Sequence, residues 1–223
     1  MIGVLTYNVP HRKTYDTLCL LKAKGYTDIV VFAMPLHYQK KFKPLILHRP
    51  SVSVPFPIED ICKAFGYKCC LGFSESALPL GSKILICGAG MVEQEIISKY
   101  TLLNAHPGYL PNVRGLDALK WAIYDGQPIG VTTHVLGDEV DAGLMVDRKT
   151  VPVFHNDTFH AVAQRQYELE VAMLVEALEK VETATEHLDA NFPLRRRMPH
   201  DFETRIFSRF AALVGNVQIE GAQ

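Results

Sequence analysis

The opening of the chain does most to restrict its fold. Met1 to Tyr7 is an apolar run of strand character. Residues 12–24 place Tyr15, Leu18, Cys19 and Leu21 at near-helical spacing, and Gly25 supplies a stop. Asp28 to Met34 is a second apolar run. Strand, helix and strand in that order imply a parallel pair joined by a right-handed crossover. Lys83 to Cys87 is another uninterrupted apolar strand, as a sheet covered on both faces requires. Ser51 to Phe56 reads as a further short strand, and Ile58 to Phe65 as a helix ended by Gly66. Residues 116–124 suit a helix anchored by Leu116, Leu119, Trp121 and Ile123. Gly130–Leu136 and Leu144–Val153 read as two strands, with antiparallel pairing open to them. Asn156 or Asp157 can cap a long helix running to about residue 182. The expected fold is α/β: a Rossmann-like, mostly parallel sheet with helices on both faces and a short C-terminal extension.

A chain of 223 residues that is 48% hydrophobic can bury one good core. The expected division is a catalytic domain over residues 1–189 and a tail over 190–223. The tail carries Pro193, Arg195-Arg196-Arg197 and Met198-Pro199, then Ile206, Phe207, Phe210 and Leu213 at roughly helical spacing. Those four should form one buried face, docked on a second subunit to make a homodimer or folded back on the same chain. The net charge of −1 gives no reason to expect a nucleic-acid or membrane-surface partner. No apolar run reaches membrane-spanning length, and Met1-Ile-Gly-Val reads as a first strand rather than a signal peptide. The cysteines, five in number, lack zinc-finger spacing. They read as reduced residues of a cytoplasmic protein.

The chemistry concentrates in Asn104-Ala-His106-Pro-Gly-Tyr-Leu-Pro-Asn-Val-Arg114-Gly115, directly after the apolar run Tyr100–Leu103. In an open α/β sheet, ligands bind where strands end. Asn104 and His106 are two apart, so on a continuing strand they face the same side. An amide can donate to a developing oxyanion, and an imidazole can donate or carry a proton. Asp141, in Gly137-Asp-Glu-Val-Asp141-Ala-Gly143, is a third polar candidate. No nucleophilic Ser or Cys stands beside them. That set suits attack on a carbonyl by the substrate's own nucleophile. By residue type alone, Asn104 and Asp141 could equally be turn formers. Gln166 falls on the apolar stripe of the long helix and should brace the site or core. Gly88-Ala-Gly90 ends its strand tightly but lacks the third glycine of a dinucleotide fingerprint. His106, His134 and Asp141 match no common zinc spacing, so no metal is expected.

With these residues in view, the segment resembles the folate-dependent formyltransferases. Their motif runs Asn-x-His-Pro-Ser/Gly-x-Leu-Pro-x-x-Arg-Gly, followed by an Asp in a Leu-Asp-x-Gly turn. Asn104, His106, Pro107, Gly108, Leu110, Pro111, Arg114 and Gly115 match it, then Val140-Asp141-Ala142-Gly143 with Val in place of Leu. The resemblance implies N10-formyltetrahydrofolate as formyl donor, with Asn104, His106 and Asp141 catalytic. It places Gly90, Met91, Val92, Asp138, Glu139 and Val140 around the pterin and His134 near the acceptor, with Arg114 and Arg196 as further acceptor candidates. Arg195-Arg196-Arg197 reads first as a solvated charge run, with contact to acceptor phosphates through guanidinium forks as the alternative. It also implies a cis peptide between Leu110 and Pro111. The turn Asn8-Val-Pro-His11-Arg-Lys13 has no glycine to cradle a substrate phosphate. The Arg114–Ile123 run and the Arg-Arg-Arg-Met-Pro tail look more like the sugar N-formyltransferases. The expected acceptor is therefore an amino sugar, often nucleotide-linked in that group. A purine-pathway (glycinamide ribonucleotide) formyltransferase is the first alternative, and a non-catalytic folate-binding protein of the same fold is the second.

Overall fold

The computed structural model describes residues 1–36, 42–52, 55–90, 92–137, 141, 143–189 and 191–217. The opening unit is β1 (Ile2–Tyr7), α1 (Arg12–Ala23) and β2 (Ile29–Met34), with β1 and β2 parallel. Next come α2 (Ile58–Phe65), β3 (Lys68–Leu71), β4 (Lys83–Ile86), α3 (Gln94–Lys99) and β5 (Thr101–His106). The rest is β6 (Arg114–Gly115), α4 (Ala118–Asp125), β7 (Gly130–Val135), β8 (Gly143–Thr150), α5 (Phe159–Lys180) and β9 (Glu186–Leu188). The tail adds β10 (Leu194–Arg195), α6 (His200–Glu203) and α7 (Ile206–Gly215). The main sheet has eight strands in the order β3-β2-β1-β4-β5-β7-β8-β9. Pairing is parallel from β3 through β5 and antiparallel from β7 onward.

Side chains alternate across the central strands, as strand geometry dictates. Val4, Val31, Leu85 and Leu103 pack with Leu18 and Leu21 of α1, Ile58 of α2, and Met173 and Leu174 of α5. Leu5, Val30, Phe32, Ile84 and Leu102 pack on the opposite face with Ile96 of α3. This is the Rossmann-like α/β arrangement expected from the apolar runs. No helix among the described residues is long and apolar enough to cross a membrane.

Several local expectations are corrected. The described residues of 51–56 form no strand; the edge strand is instead Lys68–Leu71. Leu116, expected as a helix anchor, lies before α4 and is 51% exposed. The cap of α5 is Thr158, whose hydroxyl accepts from the Ala161 amide at 3.1 Å. Asp157 instead accepts from the Phe154 amide and pairs with Arg165.

The tail packs on its own chain. Met198, Ile206 and Phe210 are buried with Ala118, Trp121 and Ala122 of α4 and Phe159 and Val162 of α5. Phe207 meets the Phe159 ring edge-on at 5.8 Å but is 52% exposed. Two fully buried side chains fasten the segment, because Glu203 pairs with the Lys120 ammonium. The second Glu203 oxygen accepts from the Leu45 amide at 2.8 Å.

Candidate active site

Asn104 and His106 close strand β5, and the chain then turns sharply. The Leu110–Pro111 peptide is cis, as the motif implied. Three side chains from elsewhere hold this turn. Thr132 on β7 accepts from the Leu110 amide at 3.0 Å and donates to the Gly108 carbonyl at 2.9 Å. Gln166 on α5 donates to the carbonyls of Pro107 and Gly130, both at 3.0 Å, which is the bracing role expected of it. Arg148 on β8 donates to the Leu110 carbonyl at 2.6 Å and lies over the Tyr109 ring. Gly108 is needed for close approach. A Cβ there would sit 2.6 Å from His106 Nε2 and 2.7 Å from the Val113 carbonyl oxygen.

His106 is 4% exposed and both ring nitrogens face oxygens. Nδ1 lies 3.3 Å from Asp141 Oδ1, and Nε2 lies 2.9 Å from the Val113 carbonyl. A doubly protonated ring donates to both, whereas a neutral ring donates to one. Asn104 is only half-buried, and its amide nitrogen lies 3.2 Å from His134 Nε2. The amide has two hydrogens, so one remains for a ligand. His134 stands opposite Asn104 because β5 and β7 pair antiparallel. The strand reversal therefore gathers Asn104, His106, His134 and Asp141 into one cluster.

Asp141 has a left-handed backbone, φ 50, and its second oxygen accepts from the Gly115 amide at 2.8 Å. Burial works to raise its pKa. The charge and hydrogen bond of His106, the Gly115 amide and the charge of His134 outweigh burial and hold the carboxyl at about 2. A folded value below the unfolded one stabilises the fold above the ordinary carboxylate range, and that stability is lost as pH falls through the folded value. The window is therefore from about pH 4 down to 2, and the contribution is roughly 2 kcal/mol. Asp141→Asn should remove this part of the acid-unfolding curve, read by circular dichroism. An acid limb of unchanged steepness in the variant would contradict the assignment.

The other expected site residues divide. Gly90 leaves open space, since a Cβ there meets nothing within 4 Å. Val92 is partly buried and packs with Leu136 on one apolar cluster. Met91, Asp138, Glu139 and Val140 lie outside the described residues. Arg114 is 4% exposed and donates to the Phe192 carbonyl at 3.1 Å, so it anchors the tail rather than opening toward an acceptor. Arg195 pairs with Asp125 and Arg197 with Asp117. The Arg196 side chain is exposed and, among the described residues, makes no hydrogen bond or ion pair.

One cluster had no signal in the sequence. Glu170 of α5 is 1% exposed and bonds Lys13 at 2.8 Å and Arg49 through both carboxylate oxygens. Burial pushes its pKa up, but Arg49 and Lys13 together bring it down to about 2. Lys13 also reaches the carbonyl of Ala105, between Asn104 and His106, at 3.4 Å. Beside them, burial and the charges of Lys13 and Arg49 push His11 down to about 4, against the opposing charge of Glu170. Positions 13, 49 and 170 meet only through the fold, so no spacing could have announced them.

The end of β5 thus brings Asn104, His106 and a partly buried Asp141 together. Residues 86–178 match the family described as formyl transferase. The matched segment is less than half of the chain. It is 36% identical over 84 residues to the trifunctional purine biosynthetic protein adenosine-3 of Chironomus tentans. That alignment covers 37% of this chain and 6% of the longer relative. The fold resembles a sugar N-formyltransferase from Shewanella sp., with TM-score 0.61 and 16% identity, over 94% of this chain and 87% of that one. It also resembles an N-formyltransferase from Helicobacter canadensis solved with folinic acid and dTDP-3-aminofucose. There the TM-score is 0.61 and the identity 15%, over 95% of this chain and 79% of that one.

Proposed function

We propose that the chain moves a formyl group from N10-formyltetrahydrofolate to the amine of an amino sugar carried on a nucleotide. The observation that supports this most directly is the Asn104–His106–Asp141 arrangement at the end of β5, inside the segment matched to the formyl transferase family. The donor fits what is built beside it. Gly90 leaves space against the main chain, and Val92 with Leu136 offers an apolar flank for a flat ring. The bound donor supplies an electrophilic formyl carbon.

Asn104 donates its spare amide hydrogen to the formyl oxygen as negative charge develops there. His106 exchanges its bond to the Val113 carbonyl for the same oxygen, while Asp141 keeps the ring oriented and compensates its charge. The acceptor nitrogen forms the new C–N bond, the bond from carbon to N10 breaks, and the proton lost by the amine is matched by one gained at N10. Asp141, ionised well below neutral pH, is available to take the amine proton directly or through water. Arg196, exposed beside the site-facing ribbon of β6 and β10, is assigned to acceptor phosphates.

A second reading, transfer to glycinamide ribonucleotide, is favoured by the identity to the trifunctional purine protein. Against it, Lys13 of the first turn is engaged by Glu170 and the Ala105 carbonyl. The test supplies N10-formyltetrahydrofolate with dTDP- and UDP-linked amino sugars in one arm and glycinamide ribonucleotide in the other. Formylated sugar nucleotide, identified by mass, is expected. Product only from glycinamide ribonucleotide would transfer the assignment to the purine reading. Folate binding without turnover of any acceptor would indicate a binding protein.

A further inference from the structure

The tail lies outside residues 86–178, yet it reaches the site. Strand β10 pairs in parallel with β6, and the Leu116 amide donates to the Arg195 carbonyl at 2.9 Å. Gly115 has φ +91, and a Cβ on it would lie 2.1 Å from that same carbonyl oxygen. On its other side, the Gly115 amide donates to Asp141. One residue is thus held between the tail and the catalytic carboxylate.

The tail itself is gripped by Asp117. This residue opens α4 with a left-handed backbone, φ 55, and its side chain makes no cap bond to the helix. Instead Oδ1 accepts from Arg197 Nη1 and Oδ2 from the Met198 amide, both at 3.0 Å. Asp117 is 6% exposed and Met198 fully buried, so the bond to the Met198 amide is shielded from water. The Trp121 indole adds a bond to the Arg196 carbonyl at 2.8 Å.

We propose that Asp117 is a positioning residue: by clamping Arg197 and Met198 it holds β10 on β6, and β6 holds the Gly115 amide on Asp141. The catalytic consequence rests on the formyl-transfer reading; the clamp does not. His106 and His134 are the titratable groups among the described residues that act on Asp141, and neither is altered in the test.

The test uses the full chain with Asp117→Asn. Asparagine tolerates the left-handed backbone. Its NH2 must face either the Arg197 guanidinium or the Met198 amide, so one acceptor becomes a second donor. The variant should fold, with the amides of Leu116 and Met198 exchanging hydrogen about tenfold faster. The Asp141 carboxyl, followed by carbon-13 NMR and assigned with Asp141→Asn, should take up its proton at about tenfold lower proton concentration. With a formyl acceptor, kcat should fall and KM stay near its original value. Arg197→Gln, altering a side chain that is 39% exposed, is the second variant should the first fail to fold, and should move the same readouts less. Faster exchange with an unmoved Asp141 titration would overturn the proposal, and so would unchanged exchange at Leu116 and Met198. A wild-type chain without formyl transfer would remove the formyl-transfer reading while leaving both substrate-free readouts to judge the clamp.

Discussion

Asn104→Ala should fold and melt close to the parent while losing at least about a hundredfold in formyl-transfer turnover. The two halves of that expectation have separate sources. Asn104 is half-buried at a strand end, and among the described residues its side chain bonds only His134. Truncation therefore opens no large cavity. An oxyanion donor, by contrast, acts where charge appears only in the transition state, so its loss falls on kcat. Steady-state kinetics together with a thermal melt checks both. Turnover within a few-fold of the parent would remove Asn104 from the reaction, whatever the acceptor proves to be.

Glu203→Ala is expected to give a large loss of stability. Its carboxylate faces the Lys120 ammonium where both side chains are 0% exposed. Asp117 stands 3.9 Å from that ammonium, but its oxygens are already taken by Arg197 and the Met198 amide. Breaking a buried pair by removing one partner costs about 3–5 kcal/mol, since the remaining charge is stranded away from water. For a chain of this size that corresponds to a fall of roughly 6–20 °C in Tm. The Leu45 amide would lose its acceptor as well. Replacing both members, Glu203→Leu with Lys120→Met, should recover most of the loss, because neither position then leaves a charge stranded and Asp117 keeps Arg197. A Glu203→Ala melt within two or three degrees of the parent, measured by calorimetry, would show that Lys120 finds another partner or sheds its proton.

Those two residues also mark how far the sequence could be read. The parallel half of the sheet was legible because Val4, Val31, Leu85 and Leu103 sit in uninterrupted apolar runs, which strands buried on both faces require. Lys68–Leu71 was not legible: it is an edge strand of four residues with exposed ends, and Cys69-Cys70-Leu71 is too short an apolar run to mark it. The Val-Phe pattern of 51–56 imitated a strand, but its described residues pair with no other strand. Leu116 fitted the helical stripe, yet the helix starts two residues later and leaves it in water. Among the candidate site residues, Asn104 and His106 stood out in a contiguous motif and Asp141 in a separate later turn. The contact of Asn104 with His134 depended on strand order, and the Lys13–Arg49–Glu170 cluster on three distant elements. Nothing in the sequence singled out Lys120 and Glu203, because sequence records a charge and not its burial.

The two ends of the main sheet carry a consequence for self-association. Its outermost strands are β3, of four residues, and β9, of three, each paired with another strand along one side only among the described residues. Lys68 stands at the start of one, and Glu186 and His187 are exposed on the other. So short a row of open amides and carbonyls offers an incoming strand few bonds, and the flanking charges must shed water to accept it. The long, bond-rich strands all lie inside. Fibrillar growth by sheet extension is thereby disfavoured even when the protein is concentrated, and ordered contact between copies falls to side-chain surfaces, where exposed Phe207 stands.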